Sequence, residues 1–392
     1  MHTAEELVVV GGGIGGLATA LGAAIAGCPV RLLERSGQFG EIGAGIQLAP
    51  NATRVLAAWG LLDQLVEVGV LPRRLVLRSA VSGEELTSLD LDGRFVGTYG
   101  APYIVLHRAD LLTALVGACE RHPNVTLEVG RDVTDVQAAG TAVEVTCADG
   151  TSYTCAGVVG ADGLRSRIRR LLSDDEPIAW EFVSYRGAVP LETVREHPSL
   201  DDVVAWIGPG LHFVQYPLRR LELYNQVAVF RSQDYLDGRP DWGGPDEMRR
   251  RFASTCPQIL AALPALRQDN RWVMYDREPL TELSQGRVAL VGDAAHPMLQ
   301  YLAQGACQAI QDGACLAAAI GRTGLAGVET AFAEYSSQRT AAVAEVQRRV
   351  RVWGDIWHVD GVGMVLRDEL FKRLDRDDYG YIDWLYRVPS WA

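Results

Sequence analysis

Leu7-Val8-Val9-Val10-Gly11-Gly12-Gly13-Ile14-Gly15-Gly16 is the stretch whose reading decides the fold. Four consecutive apolar residues, three of them β-branched, read as a strand buried on both faces, as in a parallel sheet. Glycines follow at once, and Leu17, Leu21 and Ala24 then recur at helical spacing. A strand, a tight glycine turn and a helix together satisfy G-x-G-x-x-G. In that motif, backbone N–H groups approach a pyrophosphate and the helix N-terminus adds partial positive charge. The next apolar strand, Val30-Arg31-Leu32-Leu33, ends at Glu34, 18 residues beyond Gly16, where a carboxylate accepts hydrogen bonds from an adenosine ribose. Gly11, Gly13, Ile14, Gly15, Gly16, Glu34 and the adjoining Arg35 are therefore the expected dinucleotide contacts.

Working outward, Asn51 is expected to cap a helix carrying Val55, Leu56, Trp59 and Leu62, and Asp110 to cap one through Leu111, Leu115 and Val116. The middle of the chain changes character. Segments near 183–190, 203–207, 211–217 and 221–230 read as short strands broken by turns such as Gly208-Pro209-Gly210, which predicts an inserted antiparallel sheet. The α/β pattern returns with the strand Val288-Ala289-Leu290-Val291, followed by a helical region from about 304 to 355. Four of the nine tryptophans (Trp353, Trp357, Trp384 and Trp391) fall in the last forty residues. They cap the core or bury a subunit interface, as in a homodimer, and the first reading is preferred.

The totals narrow the function classes. The 392 residues suffice for two or three domains, and 48% hydrophobic with 22% charged is a globular balance. A net charge of −12 argues against a nucleic-acid partner. The short cluster Arg165, Arg167, Arg169 and Arg170 reads as a solvated helix face. Seven scattered cysteines without a CxxC pair fit buried thiols in a reducing compartment better than disulfides or a metal site, and no metal is expected. Glu5 and Glu6 stand where a signal peptide would be basic, and no apolar run of about 18 residues could span a bilayer. The expectation is a cytoplasmic enzyme without membrane insertion.

Three further stretches identify the dinucleotide. Gly292-Asp293-Ala294-Ala295-His296-Pro297 follows the late strand, Gly305-Ala306-Cys307 opens the next helix, and Gly160-Ala161-Asp162-Gly163 ends another apolar stretch. Their order resembles the GD and DG motifs of the group A flavoprotein aromatic hydroxylases, the p-hydroxybenzoate and salicylate hydroxylase family, over nearly the whole chain. That resemblance implies FAD, with Asp293 on its ribityl chain, Arg108 of His107-Arg108-Ala109-Asp110-Leu111 also holding the flavin, and Asp162 in the DG segment. A helix starting near Gly305, with Ala306 beside it, would direct N–H groups at the flavin edge where the reduced ring carries negative charge. Only one complete fingerprint is present, so NADH is expected to bind transiently over the same cleft.

The implied fold class is α/β: a Rossmann-like FAD-binding domain (1–72, 100–182 and 273–350) with an inserted, mostly antiparallel β-sheet substrate domain (73–99 and 183–272) and C-terminal helices within an aromatic-rich segment (351–392). In Leu211-His212-Phe213-Val214-Gln215-Tyr216-Pro217, the period of two puts His212, Val214 and Tyr216 on one face. The family commonly has proline where this chain has Gln300. His296-Pro297-Met298-Leu299-Gln300-Tyr301-Leu302, with Trp242-Gly243-Gly244-Pro245 and Met274-Tyr275-Asp276-Arg277-Glu278-Pro279, is instead similar to the 3-hydroxybenzoate 6-hydroxylases. The likeness implies a small phenolic acid, NADH and O2 as partners, a flavin C4a-hydroperoxide as the oxygen donor, and His212, Tyr216, Gln300 and Tyr103 around the substrate. His212, with a near-neutral imidazole, is the candidate base for the phenol proton, and Tyr216 and Gln300 the candidate holders of phenolate or carboxylate. His296 is expected to do structural or flavin-adjacent work. Decarboxylating salicylate 1-hydroxylation is the nearest alternative; an FAD-dependent amine or hydroxy-acid oxidase and a flavin-binding module without turnover are more distant ones.

Overall fold

The computed structural model describes residues 5–40, 45–194 and 200–389. Its first layer is a six-stranded sheet in the order Ser284–Gln285, Val288–Leu290, Gly157–Gly160, Leu7–Val10, Val30–Glu34, Val125–Val129. All neighbours are parallel except the short edge pair Ser284–Gln285 with Val288–Leu290. The central strand Leu7–Val10 is buried along its whole length, as its unbroken apolar run requires. The helix Ile14–Ile25 buries ten of its twelve residues, so it is an internal helix and not an amphipathic surface one.

The second layer is a seven-stranded sheet in the order Trp272–Asp276, Ile178–Pro190, Leu223–Arg231, Leu211–Leu218, Val203–Gly208, Arg74–Ser79, Glu85–Asp90. It is antiparallel apart from the Val203–Gly208 and Arg74–Ser79 pair. One face buries Tyr185, Trp206, Phe213 and Phe230 against Met248 and Phe252 of the helix Pro245–Phe252. Alternation along the strands therefore turns His212, Val214 and Tyr216 to the opposite face, where they border a cleft shared with the first layer. A three-stranded sheet from Val133–Ala139, Ala142–Cys147 and Ser152–Cys155 is an addition the sequence reading did not anticipate.

The helices Gly305–Thr323 and Val328–His358 complete the packing, with a break at 324–327 inside the expected continuous helical region. Trp357 is buried, and Trp353 and Trp384 pack against the core; Trp391 lies outside the described residues. All seven cysteines are buried and unpaired. No helix among the described residues is long and apolar enough to cross a membrane.

Three local expectations need correction. Asn51 does not cap its helix, which starts at Pro50 with Ala49 in the cap position. The Asn51 amide instead donates to Gln304 (2.9 Å) and Gln311 (3.1 Å), since a buried polar side chain must find partners wherever they are. Asp110 lies inside the first turn of Arg108–Arg121 and pairs with Arg219, while the His107 ring nitrogen accepts from Ala109 N–H as the cap. Arg169 is buried, not solvated: it bonds Asp175 and the carbonyls of Ala294 and Ala295, bracing the loop after the late strand.

That loop is fixed most firmly by Asp312, a fully buried carboxylate on the helix Gly305–Thr323. It accepts from Gly292 N–H (2.9 Å), His296 Nε2 (2.6 Å) and Arg339 Nε (2.8 Å). Burial alone would raise its pKa, but His296, Arg339 and the donated hydrogen bonds hold the carboxyl below its usual range. Such a group stabilises the fold above its unfolded-state pKa, and the benefit disappears as pH falls through the lower folded-state value. Asp312→Ala should lose about 3–5 kcal/mol at neutral pH, because Arg339 is left as an uncompensated buried charge, with a smaller deficit in acid. Urea unfolding across pH measures both; a neutral-pH loss under about 0.5 kcal/mol, the scale of an inert surface change, would contradict it.

Candidate active site

The early and late glycine motifs meet. Gly292 has φ +57°, and a Cβ on Gly15 would lie 3.8 Å from the Gly292 Cα. At Gly16 an added Cβ would sit 1.9 Å from the Gly11 carbonyl oxygen, so only glycine lets the helix start this close to the strand. Both motifs line one cleft of about 920 Å³, near the upper end of ordinary ligand cavities. Its wall on this side is Gly13, Ile14, Gly15, Arg108, Asp293 and Gly305, with Ala306 beyond.

The residues fit a long anionic dinucleotide. The helices Ile14–Ile25 and Gly305–Thr323 both point their N-termini at the cleft, and neither has a side-chain cap. A Cβ on Gly13 or Gly305 would meet nothing within 4 Å, so both helix starts open onto free space. Uncapped N–H groups and the helix dipole suit phosphate at one end and an electron-rich ring at the other. Glu34, at the end of its strand, accepts from Gly12 N–H (2.6 Å) and Ser36 N–H (2.8 Å), and Arg35 beside it is exposed. Asp162 lies off the cleft wall. It accepts from the Ser166 hydroxyl (2.5 Å) and from Arg167 N–H (2.7 Å), ordering the turn that follows.

The opposite wall belongs to the seven-stranded sheet. Register places Arg186, Val227 and Val214 in one row across three strands, with Asn225 opposite Tyr216. Tyr103 donates to Gln47 (2.7 Å), whose side chain also reaches the Tyr216 hydroxyl. Burial raises the pKa of both tyrosines well above the usual value, so each is a neutral hydroxyl at physiological pH.

A chain of polar groups crosses this wall. Arg186 donates to Gln300 Oε1 (2.9 Å), Gln300 Nε2 faces His212 Nε2 (3.3 Å), and His212 Nδ1 meets His358 Nε2 (2.8 Å). A guanidinium can only donate, so it fixes the Gln300 oxygen toward itself and the amide NH2 toward His212. His212 Nε2 must then be the bare nitrogen, and its Nδ1–H donates to His358. Burial, then His358 and Arg186, hold the His212 pKa well below the ordinary value. The expectation of a pKa near neutrality is therefore corrected downward, because the ring is completely enclosed.

Sequence reasoning missed Arg186, Asn225 and His358. Arg186 is a half-buried cation with no carboxylate partner among the described residues; its neighbours are Ser184, Gln300 and the Trp272 ring. Burial and then Arg108 lower its pKa, so an incoming anion would relieve the Arg186 charge. Asn225 is fully buried; its Oδ1 accepts from Gly45 N–H (2.8 Å) and its Nδ2 has no partner among the described residues. The signal available was a charged residue within the Tyr185-Arg186-Gly187 stretch of a strand otherwise rich in apolar and aromatic residues.

The cleft thus joins an acceptor for a proton (His212 Nε2), donors for an anion (Arg186 and Asn225) and a cradle for a dinucleotide. Comparison with known proteins agrees with the dinucleotide cradle. A family model described as FAD binding domain matches residues 4–350. The chain is 37% identical to 3-hydroxybenzoate 6-hydroxylase 1 of Aquipseudomonas alcaligenes over 392 residues, covering 98% of each chain. It is 35% identical to 3-hydroxybenzoate 6-hydroxylase of Klebsiella oxytoca, covering 98% and 97%. In fold it is similar to Klebsiella pneumoniae HpxO, solved with FAD and uric acid, with a TM-score of 0.84 at 24% identity over 98% and 97% of the chains. This chain belongs to the FAD-binding domain family, as one of its flavin-dependent aromatic monooxygenases.

Proposed function

We propose that the protein hydroxylates 3-hydroxybenzoate at C6 to give 2,5-dihydroxybenzoate (gentisate), with NADH and O2 as co-substrates. The observation that carries the reading is the chain Arg186–Gln300–His212, which sets an anion site and a proton acceptor one amide apart on the same wall. That spacing suits a carboxylate and a hydroxyl related meta on one ring. The two similar enzymes named above act on the same substrate by their names.

FAD in this cleft would contact Gly13, Ile14, Gly15, Arg108, Asp293, Gly305 and Ala306, with Glu34 and Arg35 toward its adenosine end and Asp162 nearby. Bound there and reduced by NADH, FAD would supply, together with O2, the electrophilic oxygen. The chain's own residues supply the rest. Arg186, Asn225 and Tyr216 hold the carboxylate; Tyr103 orients Gln47 and, through it, Tyr216. His212 Nε2 removes the phenol proton, and Gln300 Nε2 stabilises the phenolate oxygen by donating to it. A phenolate is most electron-rich ortho and para to its oxygen. Holding the carboxylate on the Arg186 side fixes the ring so that C6, para to the hydroxyl, faces the reactive centre. Residues 73–99 and 183–272, which carry most of the seven-stranded sheet, serve as the substrate domain in this reading.

Two outcomes are expected. The FAD-loaded protein should oxidise NADH faster when 3-hydroxybenzoate is added, forming one gentisate per NADH by mass spectrometry and NMR. Release of H2O2 alone, or of CO2 and a catechol, would overturn the substrate assignment. Arg186→Gln should raise KM for 3-hydroxybenzoate about ten- to a hundredfold, equivalent to about 1.5–3 kcal/mol for charged hydrogen bonds, while FAD content stays at the native level. An unchanged KM in that variant, measured by steady-state NADH oxidation, would place the carboxylate elsewhere.

A further inference from the structure

We infer that His212 and His358 form a two-histidine proton conduit joining the substrate cleft to a second cleft at the strand ends, beside Pro209, Gly210 and Arg231. The inference rests on the base role proposed for His212 and adds the route by which the proton leaves.

The geometry comes first. His212 lines the substrate cleft, whereas His358 lines a separate cavity of about 510 Å³. The two cavities share only Leu299 and Tyr301 among their lining residues. The imidazole planes lie within 18° of each other, and Nδ1 of one is 2.8 Å from Nε2 of the other, an ordinary hydrogen bond. His358 is held in place by Phe182, stacked on it at 4.6 Å, and by Tyr301 edge-on. Its remaining nitrogen, Nδ1, bonds no described residue and is not among the buried unpartnered atoms. The second cavity carries charged groups: Asp355 and Asp360 near His358, with Glu181, Arg231 and Arg351 around them.

The tautomers run in one direction. Arg186 and Gln300 leave His212 Nε2 bare and place its proton on Nδ1, facing the bare Nε2 of His358. When the phenol gives up its proton, the O–H bond breaks and a His212 Nε2–H bond forms. The His212 Nδ1–H bond breaks as a His358 Nε2–H bond forms, and the His358 Nδ1 proton passes to solvent in the second cavity. One proton leaves the phenol and one reaches solvent; no electrons change hands. The reverse sequence returns a proton to the product oxygen and restores both tautomers.

Such a path answers a chemical need. A completely enclosed imidazole next to the Arg186 cation is a poor place to keep a positive charge. His358 is no better as a resting place, because burial, Arg367 and Arg231 bring its pKa down to about 3. Neither ring stores the proton well, so a concerted shift through both avoids a buried imidazolium. The substrate cleft would be filled by flavin and substrate during the reaction, whereas the second cavity lies apart from the bound groups.

The test mixes FAD-loaded protein with 3-hydroxybenzoate in a stopped-flow instrument, in weak buffer with a pH-indicator dye, while phenolate absorbance is followed. The native protein should release about one proton per bound ligand as phenolate forms. His358→Gln keeps an acceptor for His212 Nδ1 but cannot relay; it should bind ligand with native affinity and release the proton about a hundredfold more slowly, the scale of a lost proton-transfer group. His358→Ala should be equally slow, and added imidazole should restore its rate. Native proton-release rates in both His358 variants, or slow release that imidazole leaves unchanged in His358→Ala, would overturn the conduit. His212→Gln should form no phenolate; native phenolate formation in that variant, or none in the native protein, would contradict the base assignment itself.

Discussion

One buried carboxylate holds the late half of the flavin cradle in place. Asp312 collects a backbone N–H from Gly292, an imidazole from His296 and a guanidinium from Arg339. Through it the late glycine turn is tied to the helix that opens at Gly305 and to the long helix Val328–His358. The same long helix carries Trp357 and His358 to the substrate side. A charge this deep is tolerable only because each of its bonds is made by a fixed partner, and those partners are the elements that shape the site.

From that anchor, the substrate wall is organised by a half-buried charge of the opposite sign. Arg186 has no carboxylate of its own among the described residues, and it dictates the orientation of Gln300 and so the tautomer of His212. The cation that would recognise the substrate anion therefore also sets which nitrogen faces the phenol. In the proposed reaction, affinity and reactivity are coupled through one amide side chain. In that reading glutamine suits position 300 because its amide can both accept from the arginine and donate to the histidine.

The sequence made much of the cofactor side legible, because a strand, a glycine turn and a helix are read from adjacent residues. The strand face bearing His212, Val214 and Tyr216 was legible too, since a period of two is a local property. Asn225 and His358 were not, because nothing local distinguishes a residue that packs from one aimed into a cleft, and for Arg186 the one signal was a charge in an apolar and aromatic strand. His358 meets His212 from 146 positions away, at the end of a 31-residue helix. Asn51 and Asp110 were misread for a related reason: residue types that favour caps also serve as buried amides and ion-pair partners, and tertiary contacts prevailed. The near-neutral imidazole expected at 212 failed because burial is invisible in a strand pattern.

The claim on which the chemistry depends is the tautomer of one histidine. Nitrogen-15 NMR of FAD-loaded protein labelled at its seven histidines, with His212→Gln to assign the resonance, reads it directly. A neutral His212 ring protonated at Nδ1 and bare at Nε2 at pH 7, changing form when Gln300 is replaced by leucine, is the expected result. A proton on Nε2, or a doubly protonated ring at that pH, would contradict the orientation imposed by Arg186 and Gln300.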